Sequence, residues 1–192
     1  MDETATQPRK RDAEATKQAI LDVAIKLFGE TAYDQVGLRE IAGRAGVDVA
    51  LIGRYFGSKD ELFAAAITPP SRPKSEFPPR SEFGEWMARR IMSPRPEAAR
   101  MLIVQHSAAN PRAAEIVRRN IREFLINPIA EWLGGEDGRL RASLIVSFLS
   151  GLRLNRDIAK VEDLTEADEE DFVRLVGPAL QALVDAESPA SD

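Results

Sequence analysis

The chain has 192 residues, 44% of them hydrophobic, and its 26 basic and 31 acidic side chains leave a formal net charge of −5. That is enough apolar material for one domain, or for a small domain beside a larger one. It contains no Cys and a single His, His106. Disulfide frameworks, thiolate nucleophiles, cysteine-based zinc and iron–sulfur sites, and any site needing two imidazoles are thereby excluded, and a Ser-His-Asp triad would have to be built on that one His.

The first 17 residues, Met1 to Lys17, are polar and charged, without the apolar stretch of a secretory signal. No uncharged run exceeds 11 residues, as in Ala142 to Leu152, against the roughly 20 that a membrane-spanning helix needs. The expectation is a cytoplasmic chain with no membrane partner. Acidity weighs against a nucleic-acid partner only as an average, because a local patch escapes it. Residues 1–60 carry 9 basic and 10 acidic side chains and residues 61–192 carry 17 and 21, so charge alone selects no partner.

The segment up to residue 13 holds Arg9-Lys10-Arg11 and is expected to be a flexible basic arm, either reaching along DNA or simply solvated. Ile20, Val23, Ala24, Leu27 and Phe28 then recur at helical spacing up to Gly29, predicting an amphipathic helix over about 16–30. Leu38, Ile41, Ala42 and Ala45 predict a short second helix stopped by Gly46. Asp48 is a plausible N-cap for a third, running to Phe56, and Ser58-Lys59-Asp60-Glu61 has the spacing of a capping box for a fourth, carrying Leu62, Phe63, Ala66 and Ile67. Phe28, Phe56 and Phe63 are spaced to seal this first domain, expected over 14–67.

Residues 68–80 contain five Pro (Pro69, Pro70, Pro73, Pro78, Pro79) and read as a connector. Beyond it, 81–187 is expected to form one larger helical domain, with 188–192 as a tail. Helices are predicted over Ser81–Met92 and Glu97–Ala109. A long one opened by Asn110-Pro111 should be kinked or divided by Pro128 before the turn Gly134–Gly138, and two more follow over about 139–154 and 166–186, the last opened by Thr165. No stretch alternates as a strand does. The fold class is therefore all-α.

Ala42, Gly46 and Ile52 have the steric roles of a helix-turn-helix. A small residue lets the helices cross, a glycine makes the turn, and an apolar plug seats the second helix while its other face stays free. An ordinary αα-corner obeys the same logic without DNA. The wider string, Ile20 to Phe28, then Leu38-Arg-Glu-Ile-Ala-Gly-Arg-Ala-Gly-Val47, then Ala50-Leu-Ile-Gly-Arg-Tyr-Phe-Gly-Ser-Lys-Asp-Glu-Leu-Phe63, closely resembles the N-terminal domain of TetR-family transcriptional regulators. The C-terminal part is similar, more weakly, to actinobacterial members.

The resemblance implies a three-helix domain with its helix-turn-helix over about 37–56, followed by a larger antiparallel helical bundle for ligand binding and dimerisation, acting as a homodimer on palindromic double-stranded DNA. It implies a recognition helix from Asp48 to Phe56 in which Asp48, Val49, Ala50 and Arg54 face the groove. Tyr55 and Lys59 match phosphate-holding positions, and Arg39 one that reaches a guanine edge. Two positions depart from the family: Gly53 stands where Tyr is common, and Gly37 where a Thr or Ser cap is usual. Arg44 reads equally as a contact or a surface residue.

In the second domain Trp86, Met87, Met101, Ile103, His106, Phe124, Trp132 and Phe148 provide the apolar and aromatic surface of either a plain core or a ligand pocket. Trp86, Met87, Met101, His106 and Phe124 are the pocket candidates. Ser143, Ser147, Ser150 and Gly151 in the uncharged run suit a subunit interface. The cluster Glu166, Asp168, Glu169, Glu170, Asp171 suits a solvated helix start rather than a metal site. The reading is thus a repressor released by a small apolar or aromatic effector, with no catalytic residue, metal or cofactor expected. The alternatives are a DNA-binding dimer without a small-molecule ligand and, with no G-x-S-x-G, P-loop or G-x-G-x-x-G to support it, an all-helical enzyme.

Overall fold

The computed structural model describes residues 6–68, 77–93 and 98–186, and among these residues every regular element is helical. Helix α1 (Thr6–Glu30) starts well before the predicted residue 16. The basic segment expected to be a flexible arm is, from Thr6 on, the opening of this helix; Met1–Ala5 lie outside the described residues. Pro8 falls in the first turn, where its missing N–H breaks no intrahelical bond, and the Arg-Lys-Arg-Asp-Ala-Glu-Ala run that follows is rich in helix formers.

Next come α2 (Leu38–Ala45), α3 (Val49–Phe56) and α4 (Lys59–Ile67). Their inner faces bury Ile20, Ala24, Leu27 and Phe28 of α1 with Ile41, Ala42, Ile52, Leu62, Phe63 and Ala66. Phe28 and Phe63 meet edge to face at 5.0 Å. Phe56, expected in the same seal, is only half-buried and lies under the Lys17 ammonium.

After the connector, of which residues 69–76 lie outside the described residues, a 3₁₀ turn (Arg80–Glu82) leads into α5 (Phe83–Met92). Then follow α6 (Ala98–Ser107), α7 (Pro111–Ile121), a π-helical turn (Arg122–Ile126) and α8 (Asn127–Leu133). The π turn is the division that Pro128, at the start of α8, predicts: the ring collides with the carbonyl four residues back and removes a donor, so the helix widens just before it. Asn110 caps α7 as expected, its side chain accepting from the Ala113 amide at 3.0 Å. Helix α9 (Gly138–Arg153), a second π turn (Leu154–Ile158), α10 (Glu162–Thr165) and α11 (Glu169–Asp185) complete the described chain. Asp168, not Thr165, caps α11 by accepting from the Glu170 and Asp171 amides. Thr165 instead spends its hydroxyl on the carbonyls of the short α10. The tail after Ala186 lies outside the described residues.

The chain divides into two compact units, and the division differs from the expected one. The first contains the described residues up to Thr68 together with Ala99–Asn120, so α7 and nearly all of α6 belong with the helix-turn-helix rather than with the rest of 81–187. The reason is polar as well as apolar. Ile103, Ala113, Ile116 and Val117 are buried, and three side chains from these helices satisfy groups of α4. Arg100 Nε donates to the Ala66 carbonyl at 3.1 Å, the buried Asn120 amide donates to Thr68 Oγ1 at 2.7 Å, and Arg112 Nε donates to the Asp60 carboxylate at 2.7 Å. The last turn of α4 carries orphan carbonyls, which α6 and α7 cover.

The second unit packs α5, α8, α9 and α11 around Phe83, Met87, Ile91, Ile129, Leu133, Ile145, Phe172, Val176 and Leu180. Helices α5 and α11 approach at Gly84 and Gly177, where a Cβ on Gly84 would stand 2.2 Å from the Gly177 carbonyl oxygen. The Gly84 amide donates to Gln181 Oε1 at 2.9 Å across the same contact. A methyl on Gly177 would meet only ordinary contacts of 3.6 Å or more. We therefore expect Gly84→Ala to lower unfolding free energy by about 2 kcal/mol through forced helix separation. Gly177→Ala should cost clearly less, and urea midpoints of the two variants measure the difference.

Candidate nucleic-acid interface

The turn between α2 and α3 is built as the sequence requires. Gly46 takes a positive φ of 67°, its amide donates to Gly43 O, and the Val47 amide reaches back to Ala42 O at 3.0 Å, closing α2 with two bonds to its last carbonyls. Asp48 then caps α3, accepting from the Ala50 amide at 2.7 Å. Ala42 and Ile52 are buried, so the turn is fixed from inside. Gly37 starts α2 in an extended conformation with no side-chain cap, as glycine must.

Helix α3 therefore has one sealed face and one free face. Asp48, Val49, Ala50, Gly53 and Arg54 are exposed, Leu51 and Tyr55 are half-buried, and Ile52 is inside. Val49, in the first turn of α3, is 40% exposed. Arg39 and Arg54 are exposed and pair with no carboxylate among the described residues, whereas Arg44 is tied to Glu40 at 2.8 Å on its own helix. A methyl group at Gly53 would have no neighbour within 4 Å, so the missing side chain leaves open space on the free face.

Lys59 stands at the first position of α4, after Ser58, whose hydroxyl oxygen accepts from the Glu61 amide at 3.1 Å. The expected capping box is completed differently on its second side: the Ser58 hydroxyl donates to Glu61 Oε2 at 3.2 Å. The Lys59 ammonium does not hang in solvent. It sits 4.5 Å from the centre of the Tyr33 ring, and partial burial pulls its pKa below the ordinary lysine range while Asp34 and Asp60 oppose that shift. Tyr33 is itself packed against Phe28 and Phe63 and donates its hydroxyl to Asp60 Oδ1. Burial and that carboxylate push the Tyr33 phenol well above its usual pKa. The Tyr33 hydrogen bond, seconded by the Arg112 guanidinium, holds Asp60 below the usual carboxylate range. In the sequence Asp60 reads only as part of a cap, and Tyr33 and Arg112 do not stand out; with 27 and 52 residues separating them from Asp60, spacing carries no sign of the cluster.

The five pocket candidates are divided between the two units. Met101, half-buried, and His106, exposed, lie on α6 in the first unit, while Trp86, Met87 and Phe124 lie in the second. Met87 is part of the second core, Trp86 packs beside Phe77 and Phe83, and Phe124 is 44% exposed on the π turn. Helix α6 packs with α4, which places Met101 and His106 in the first unit. A surface cleft of about 410 Å³ in the second unit is lined instead by Arg80, Leu133, Gly135, Arg141, Val184 and Asp185, among others. Its buried Arg141 donates to the Val184 and Gly134 carbonyls and pairs with Asp137 at 2.9 Å, so that guanidinium is already engaged in joining helix ends.

Comparison with known proteins matches both parts of the sequence, and the C-terminal match takes in α6 and α7. The family model of the bacterial regulatory proteins of the tetR family matches residues 20–66, and that of the tetracyclin repressor-like C-terminal domain matches residues 81–184. The HTH-type transcriptional regulator AcrR of Shigella flexneri is 42% identical over 55 residues, 29% of this chain and 26% of that protein. The HTH-type transcriptional repressor Rv3405c of Mycobacterium tuberculosis is 38% identical over 65 residues, 33% of this chain and 35% of its own length. The alignment thus spans about a quarter to a third of these curated relatives. A solved TetR-family regulator from Streptomyces coelicolor A3 is 27% identical, covers 97% of this chain and 100% of its own, and superposes with a TM-score of 0.51. NalD, the secondary repressor of the MexAB-OprM multidrug efflux pump in Pseudomonas aeruginosa, shares the fold at a TM-score of 0.64 with 17% identity, over 86% of this chain and 95% of its own. With its helix-turn-helix and its C-terminal helices both matched, the chain belongs to the TetR family of transcriptional regulators.

Proposed function

We propose that this regulator is a repressor that binds a palindromic operator as a homodimer and is released by a small apolar or aromatic effector. The observation that carries the DNA half of this reading is the free face of α3, where Asp48, Val49, Ala50 and Arg54 stand exposed on a helix whose other side is locked by Ile52. That is the geometry of a recognition helix entering a major groove. In this reading Arg39 reads a base edge, and Tyr55 and Lys59 hold phosphates. Lys59 has the further advantage of the free amides at the start of α4.

Dimerisation is supported by α9. Leu140, Leu144 and Phe148 recur every four residues and are 63%, 47% and 39% exposed, and Leu175 of α11 is 65% exposed. A row of large apolar side chains left in water is costly for a monomer and suits a second copy of the same chain. The small residues Ser147 and Ser150, also exposed, lie among them and permit close approach. The effector half of the reading rests on the match to the tetracyclin repressor-like C-terminal domain over 81–184. Burial of Met87 in the core favours the competing reading of a dimer without a small-molecule ligand. The setting is the cytoplasm, at the operator; no described helix is long and apolar enough to cross a membrane.

Binding, association and thermal measurements test these points. On a cognate site, a single-base variant and random duplex, Lys59→Ala should weaken all three alike and flatten the dependence of log affinity on log salt by about one unit per subunit. Arg39→Ala should cost roughly 1–3 kcal/mol per half-site at the cognate base pair and relax preference there, while sparing random DNA; unchanged base preference would remove its reading role. Leu144→Glu should turn the dimer into a folded monomer in analytical ultracentrifugation, since it buries an unpaired charge at the joint. A library of apolar and aromatic metabolites should contain a compound that raises the melting temperature in a concentration-dependent way, and a library without one favours the ligand-free dimer.

A further inference from the structure

Lys59, near the proposed DNA-binding face, is restrained, and what restrains it extends well beyond α4. Its ammonium lies over the Tyr33 ring at 4.5 Å. The ring is wedged between Phe28 and Phe63, at 5.9 Å and 4.9 Å between centroids, so it cannot swing with the lysine. The Tyr33 hydroxyl donates to Asp60 Oδ1, the other carboxylate oxygen of Asp60 accepts from Arg112 Nε at 2.7 Å, and Arg112 is steadied by Glu115 at 3.0 Å on α7. Arg112 and Asp60 are 57% and 29% exposed at their side chains, too open for the pair to add much to stability by itself. Its geometry is more informative than its strength.

We propose that Tyr33, Asp60 and Arg112 are positioning residues for the DNA-backbone contact, with Tyr33 the platform that holds the Lys59 ammonium and Arg112 the residue that keeps Asp60 from capturing it. This rests on the reading of Lys59 as a phosphate contact. Asp60 is the residue next to Lys59, and its negative charge is the natural competitor of a phosphate for the same ammonium. With one oxygen taken by the Tyr33 hydroxyl and the other by the Arg112 guanidinium, both carboxylate oxygens already accept a hydrogen bond, and Asp60, like Asp34, acts on the Lys59 ammonium only through space. Asp60 also gains from its place in the first turn of α4, where a helix favours an anion, so it is not drawn out to Lys59 on that account either. A long lysine side chain that is held over a ring before DNA arrives loses less freedom on docking, and the preorganisation appears as affinity. Helix α7, far along the chain, thereby acts on a DNA contact it need not touch.

The test is a thermodynamic cycle on the full chain with a random-sequence duplex of about three helical turns, since a phosphate contact needs no operator. Affinity is measured across a salt series for Arg112→Ala, Tyr33→Phe and Lys59→Ala and for each of the first two combined with Lys59→Ala. Arg112→Ala and Tyr33→Phe should each weaken binding roughly two- to fivefold and flatten the salt dependence, and both effects should vanish once Lys59 is Ala. Tyr33→Phe keeps the ring and the core packing, so its effect is not one of misfolding, and thermal melting of every variant is recorded alongside. If Arg112→Ala changes nothing, or weakens binding equally with and without Lys59, the positioning role is wrong; in the second case Arg112 either meets DNA itself or acts through the fold at large. If Lys59→Ala leaves the salt slope unchanged, the phosphate contact is what fails, and the positioning proposal falls with it.

Discussion

The first unit depends on the capping of helix α4. A helix of nine residues leaves much of its backbone without intrahelical partners at its two ends; here the adjacent Ser58 serves the start and residues far away in sequence serve the end. Ser58 takes an amide at its start, Asp60 in its first turn is bound by Tyr33 and Arg112, and its last carbonyls receive Arg100 and the Asn120–Thr68 pair. Because those partners come from α6 and α7, the DNA-binding unit includes two helices that a reading of local periodicity assigns elsewhere. The same capping places Lys59 and fixes the platform beneath it, so a structural need and a binding geometry have one cause.

The second unit solves the same problem with arginines. Arg80 donates to the Trp132 and Leu133 carbonyls, Arg141 to Gly134 and Val184, Arg153 to Arg90, and Arg156 to Ile91 and Leu164. Each is a cation at helix-terminal carbonyls, where the partial negative charge of the helix end collects. These contacts engage both arginines of the cleft, Arg80 and Arg141, and Arg153 at the end of α9. The buried Arg141 and the half-buried Arg153 and Arg156 are hydrogen-bonded to backbone oxygens, supplemented by Asp137 and Asp157. The outward faces are another matter. On α3 the exposed residues follow a rigid turn and include Arg54, which has no carboxylate partner among the described residues. On α9 they form an apolar row. The two faces differ in chemistry as a DNA duplex and a second protein chain differ.

Much of this is legible in the residues. The spacing of Ile20 to Phe28, Gly46 after a short apolar-faced helix, Asp48 and Asn110 as caps, and the break at Pro128 each depend on interactions within a few positions, which a linear pattern preserves. Asp168 reads in sequence as one acidic residue among several rather than as the cap, because Thr165 also offers a capping oxygen and the two differ only in where the chain bends. The extent of α1 escapes periodicity since its opening turns lack an apolar stripe and are helical by propensity.

The sequence by itself determined the helical class, the helix-turn-helix with Ala42, Gly46 and Ile52 in their steric places, the exposed character of Arg39 and Arg54, and the family. These follow from periodicity, turn chemistry and a short ordered string of residues. Only the tertiary structure decided that α6 and α7 join the DNA-binding unit and carry Met101 and His106 with them, that Gly84 must be glycine, and that Lys59 rests on Tyr33 beside an Asp60 already held by Arg112. Each of those depends on which groups meet across tens of residues, and the partner of a buried carbonyl or a half-buried ammonium is chosen by packing, for which local spacing has no term.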